Sequence, residues 1–118
     1  MTNKPIVENL SPEFKDFAPD LASYTNDILF QRVWLDGQLD SKTRSIVTLT
    51  LLATLGNTEQ MPFHLETAAK NGVSQKELSA LCTHLAFYIG WPQAMLLLNR
   101  MASIKKSPLK RVRIFKII

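Results

Sequence analysis

Hydrophobic residues recur along most of the chain at spacings of three to five, the period of helices that pack by one face. The first helical signal is Ser11-Pro12-Glu13: a capping serine, a proline suited to the first helical position, and an acid in the first turn. Pro19 breaks this helix, because a proline disfavours helical dihedrals in the residue before it. DLASYTNDILFQRVW then reads as a longer helix, with Leu21, Tyr24, Ile28 and either Leu29 or Val33 as its core-facing stripe. DGQL is expected to turn the chain, with Gly37 left-handed. Asp40 or Ser41 caps a third helix that runs through Arg44 to about Leu55 and stops at Gly56-Asn57. Apolar residues cover nearly all of its circumference, so it is expected to be the most buried helix.

Thr58 opens the next segment, Pro62 lies near its first helical turn, and Asn71-Gly72 ends it. Ser74 and Glu77 form a capping-box pattern flanked by the staple pair Val73 and Leu78, starting a fifth helix from Gln75 to about Ile89. Gly90-Trp91-Pro92 interrupts the pattern, and QAMLLLNRMASI supplies a sixth helix. Short links between helices imply an all-α bundle of about six helices. The expected organisation is an arm over 1–10, a helical domain over 11–104 and a basic and apolar arm over 105–118. Leu96, Leu97 and Leu98 cannot all face one core, since neighbours on a helix point about 100° apart. Part of that surface is expected to meet another subunit.

The length of 118 residues fits one domain. The longest apolar stretch, SIVTLTLLATLG, is shorter than the roughly 18 to 20 residues a membrane-spanning helix needs. The N-terminus carries Pro5 and Glu8 where a signal peptide would be apolar, which points to the cytoplasm. The net charge of +4 is unevenly placed: Lys105, Lys106, Lys110, Arg111, Arg113 and Lys116 fall in the last fourteen residues, which hold no acid. The rest of the chain is mildly acidic, which argues against a folded nucleic-acid-binding face. The tail alternates basic with apolar residues and is expected to dock on a neighbouring subunit. Cys82 is the single cysteine, which excludes an internal disulfide, a CxxC pair and a thiolate cluster.

Five polar or aromatic residues fall where the pattern expects core or near-core: Arg44, His64, His84, Tyr88 and Trp91. Each has a plain packing role as well as a chemical one, and Arg44 has Asp40 within reach four residues earlier. His64 and His84 come from different helices, with only Glu59 and Glu66 near, so no metal is implied. Nor is there a phosphate loop, nucleophile elbow or dinucleotide fingerprint to imply a cofactor. The set does suit acid/base work on a small organic acid. A histidine exchanges protons near neutrality, an arginine grips a carboxylate, and Tyr88 and Trp91 can wall a flat substrate.

LDSKTRSIVTLTLLATLG, MPFHLETAAKNGVSQKEL and HLAFYIGWPQAM together resemble the conserved blocks of the carboxymuconolactone decarboxylase-like family, over about Trp34 to Met101. The resemblance implies an all-helical oligomer, a trimer or hexamer, with active sites at or near subunit contacts. It also implies cofactor-independent decarboxylation of a small carboxylated or lactone-like molecule, the founding substrate being 4-carboxymuconolactone in aromatic degradation. His64 matches the histidine of the family's helix motif and is implied as the proton-transfer residue. Glu59 and Arg44 fall near the same cavity, and His84, with Tyr88 and Trp91, is assigned to substrate binding. A related branch, similar to alkylhydroperoxidase D, reduces peroxides with a CxxC pair. Here the matching segment is NTEQMPFH, without cysteine, which argues against that activity. The remaining alternative is a binding or structural protein on the same scaffold, without turnover.

Overall fold

A computed structural model describes residues 12–106, and every regular element among them is helical. The helices are α1 (Pro12–Phe17), α2 (Pro19–Ser23), which runs on into a π-helix (Tyr24–Val33), α3 (Ser41–Leu55), α4 (Met61–Lys70), α5 (Gln75–Ile89) and α6 (Trp91–Lys106). A 3-10 turn, Thr58–Gln60, leads into α4. The described residues are therefore all-α, with six α-helices. The cap expected at Ser11 and the arm over 1–10 lie outside the described residues. So does the tail expected over 105–118, apart from the backbone of Lys105 and Lys106, which closes α6. No described helix is long and apolar enough to cross a membrane. The chain divides into two units, and each is described by itself.

In residues 12–44, α1 ends before Ala18, whose φ of −140° and ψ of 71° are those of a residue forced out of the helix by the following proline. The next ten residues wind as a π-helix, sealed by the Trp34 amide donating to the Leu29 carbonyl at 2.9 Å, five residues back. The Thr25 hydroxyl takes the Leu21 carbonyl at 2.7 Å, a local bond that competes with regular helical pairing. The pattern of burial along this stretch overturns the expected core stripe. With bonds spanning five residues, positions four and five apart share a face, so Tyr24, Ile28, Leu29 and Val33 gather on one side. All four are exposed, as is Leu21. The buried side is Ala22, Phe30 and Trp34, with the Phe30 and Trp34 rings stacked at 6.4 Å. The turn also differs from expectation. Gly37 does not take positive φ, because the Asp36 carboxylate accepts the Gln38 amide and shapes the bend itself.

Residues 45–106 pack around Leu49 and Ala53 of α3, Met61, Leu65 and Ala68 of α4, Leu78, Cys82 and Leu85 of α5, and Ala94 and Leu97 of α6. α3 starts and stops at the expected residues, but it is buried on one side only. Ser45, Leu49 and Ala53, four apart, are sealed, while Val47, Leu51 and Leu55 face outward. Apolar character all round the helix told how much oil it carries, not how much of it this chain covers. In α6, Leu97 is fully buried, Leu96 is half-buried and Leu98 is exposed, as adjacent helical positions require.

Two devices set the position of α4. At its C-terminal end Gly72 takes a φ of 94°, and Asn71 Nδ2 donates to the fully buried Ser45 Oγ on α3 at 3.0 Å. The start of α5 is then locked by the capping box: Ser74 Oγ accepts the Glu77 amide at 3.0 Å and Glu77 Oε1 accepts the Ser74 amide at 2.9 Å. The staple residues Val73 and Leu78 are both buried. Gly90, at φ 102° and ψ 145°, makes the break between α5 and α6 in a conformation that side chains resist. Gln93 then ties α6 to the end of α3, its Nε2 donating to the Ala53 carbonyl at 3.0 Å.

Candidate active site

His64 is the fourth residue of α4, half-buried, with its Nδ1 shut off from solvent. The Phe63 ring meets it edge-on, centroids 4.8 Å apart. Burial lowers its pKa from the ordinary 6.5 to about 4, so the imidazole is neutral at pH 7. α4 thus holds a neutral imidazole in place, with its far end tied to Ser45 through Asn71.

The other expected site residues are placed less uniformly. Glu59 lies in the 3-10 turn and is exposed. Arg44 belongs to the first unit, where its Nε donates to the Leu39 carbonyl at 2.7 Å and its Nη2 to the Asp36 carbonyl at 3.0 Å. It does not pair with Asp40 as the spacing suggested. The Asp40 carboxylate caps α3 instead, accepting the Thr43 amide at 2.7 Å, and that bond lowers its pKa. Guanidinium and carboxylate each satisfy main-chain groups of the same turn.

His84 and Tyr88 do share a face, their rings tilted together at 4.7 Å, but the face is exposed and Tyr88 is 76% accessible. Trp91 is likewise outward, 59% accessible, with the Phe87 ring edge-on at 5.4 Å. The expectation of core or near-core positions fails for all three. Leu78, Cys82 and Leu85 take the inner side of α5, and a residue two positions from Cys82 points about 200° away from it. The spacing located a shared face correctly and assigned it to the wrong side.

Sequence reasoning missed the burial of two polar side chains. Glu66 is buried on α4, and burial raises its pKa while Lys70 Nζ, 3.5 Å away, pulls it back down. A Glu-Lys pair four apart reads as a solvated surface pair, which hides a buried carboxyl. Glu66 lies two positions after His64, so the side chains leave α4 about 200° apart and form no local dyad. The other feature is Ser45, whose signal was a lone hydroxyl facing inward on an apolar helix. Among the described residues no group of three His, Cys, Asp or Glu side chains is arranged to hold a metal ion.

Fold and site together define an all-helical protein whose distinctive group is a neutral histidine held early in a short pinned helix. Residues 19–102 match the carboxymuconolactone decarboxylase family, and the chain belongs to it. Among curated proteins it is similar to the 4-carboxymuconolactone decarboxylase of Acinetobacter baylyi, at 34% identity over 86 residues. The match takes in 73% of this chain and 61% of that relative's length.

Proposed function

We propose that the protein is a cofactor-independent lyase, in the cytoplasm, that moves a proton on a small carboxylated or lactone-like molecule, with His64 as the proton-transfer residue. The observation that carries this reading is the neutral, half-buried imidazole on α4 of a carboxymuconolactone decarboxylase family member. Loss of CO2 breaks a carbon–carbon bond and leaves an electron pair that the lactone or enone carbonyl of the substrate accepts as a dienolate. A neutral imidazole takes up a proton from water. A substrate carboxylate brought beside it supplies the counter-charge that burial denies and raises its proton affinity. The imidazolium so formed returns the proton to the carbon that lost CO2.

Glu59 is assigned to orienting His64, and Arg44, which keeps N–H groups beyond the two engaged with Asp36 and Leu39, to the substrate carboxylate. His84, Tyr88 and Trp91 are assigned to the substrate body, and the working form to a homo-oligomer, a trimer or hexamer. The exposed apolar side chains Val47, Leu51 and Leu55 support that assembly, since leaving several in water is unfavourable. Peroxide reduction is disfavoured because Cys82 is buried, its thiol pushed up by that burial, and the chain has no second cysteine. A non-catalytic scaffold is favoured by one observation, the commitment of Arg44 to main-chain carbonyls of its own turn. The test is His64→Gln assayed against a panel of small lactone and β-keto acids. Loss of kcat/KM by about 100-fold or more supports the lyase reading, and wild-type turnover in the variant returns His64 to packing.

A further inference from the structure

Between α5 and α6 lies a cleft of about 130 Å³, lined by Cys82, Thr83 and Ala86 on one side and Trp91, Ala94 and Met95 on the other. Neither His64 nor Glu59 lines it. We propose that this cleft binds one uncharged ring of a small organic molecule, edge-on to the Trp91 indole.

Three observations converge on that occupant. The first is size, since a dry cavity of roughly 150 Å³ accepts benzene and little more. The second is polarity. No charged residue lines the cleft, and two of its side-chain donors are already used: the Thr83 hydroxyl donates to the Ser79 carbonyl at 3.3 Å and the Cys82 thiol to Met101 Sδ at 3.6 Å, which leaves the Trp91 indole N–H. A carboxylate placed there would lose its water and gain at most that one neutral donor in return, whereas an apolar ring loses nothing. The third is the rim. Trp91 and Phe87 already meet in T-shaped contact and are both exposed, so a ring seated beside the indole extends an aromatic cluster and removes apolar surface from water. The raised pKa of Cys82 keeps the thiol uncharged at neutral pH, consistent with an apolar floor. The inference shares Trp91 with the contacts proposed for the substrate body but does not rest on proton transfer by His64, and binding alone tests it.

The experiment is a titration of the ¹⁵N-labelled full chain with toluene, following the indole N–H resonance that disappears in Trp91→Phe. A parallel titration uses benzoate, which carries the same ring with a charge. Ala86→Leu, which fills the cleft from its half-buried wall, is titrated alongside. Thr83→Leu replaces it if circular dichroism shows Ala86→Leu misfolded. The expected result is a saturable toluene shift, at least about tenfold weaker with benzoate, and abolished by the filling variant. No saturable shift with toluene, an equal response to benzoate, or an undiminished response in the filled cleft overturns the proposal. Sedimentation of the same samples identifies a second copy of the chain as the occupant if toluene fails and the indole resonance moves with protein concentration.

Discussion

Acidification should unfold this protein partly through His64, and the size of the effect follows from its burial. In the folded chain its pKa is about 4 against 6.5 when unfolded. The folded-state value is the depressed one. The neutral buried ring therefore contributes its full stability above pH 6.5 and loses it as pH falls toward 4, where the unfolded chain takes up a proton that the folded chain refuses. Inside that window each pH unit is worth about 1.4 kcal/mol, so moving from pH 7 to pH 4.5 removes about 2 kcal/mol through this group. Glu66 acts in the opposite sense, since its raised pKa lets the folded state take up a proton before the unfolded chain does as pH falls. Asp40 loses its contribution only below its ordinary value of 3.8. Comparing wild type with His64→Gln cancels both. Urea unfolding at fixed protein concentration, followed by circular dichroism at pH 7, 6, 5 and 4.5, gives the difference directly. The variant should gain on wild type by about 2 kcal/mol across that range. A difference independent of pH would show that His64 is solvated and that the burial argument is wrong.

Leu97→Ala should destabilise the fold by about 2 to 5 kcal/mol, because Leu97 is fully buried in the core of residues 45–106; urea unfolding at pH 7 measures it. If the proposed homo-oligomer forms through the outward side of α3, Leu51→Glu should leave the helical circular dichroism signal unchanged and reduce the sedimenting mass toward that of a monomer. An unchanged mass would move the interface elsewhere. Cys82→Ser should change kcat/KM on a lyase substrate by less than about threefold, since the thiol takes no part in proton transfer, and loss of hydroperoxide turnover in that variant would restore the redox reading.

The elements whose ends are written in local chemistry were legible in advance. Proline at the α1–α2 break, glycine at the end of α4 and the Ser74–Glu77 box each act within a few residues, and each appears where the sequence put it. What was not legible depends on winding and on neighbours. The π-helical winding of Tyr24–Val33 is not readable from a 3.6-residue period, and neither is the burial of Phe30 and Trp34 in place of Tyr24 and Ile28. Likewise, the spacing of His84, Tyr88 and Trp91 tells that two of them share a side of α5 but not that Leu78, Cys82 and Leu85 have taken the inner one. The candidate site followed the same division. The identity of His64 as the candidate was readable from the sequence, whereas its neutrality comes from burial, which depends on neighbours. Glu66 was noted only as a carboxylate near the histidines, and its burial depends on packing that spacing does not show.

The central claim is that His64 carries a proton to the carbon freed of CO2, and the most direct measurement is the reaction run in D2O. Product isolated from the wild-type enzyme should carry one deuterium at that carbon in a single configuration. His64→Gln should form product at a rate lowered by about 100-fold or more, with the deuterium divided between both configurations. Undiminished rate and unchanged configuration in the variant would contradict the account, because the proton would then reach the carbon from another group.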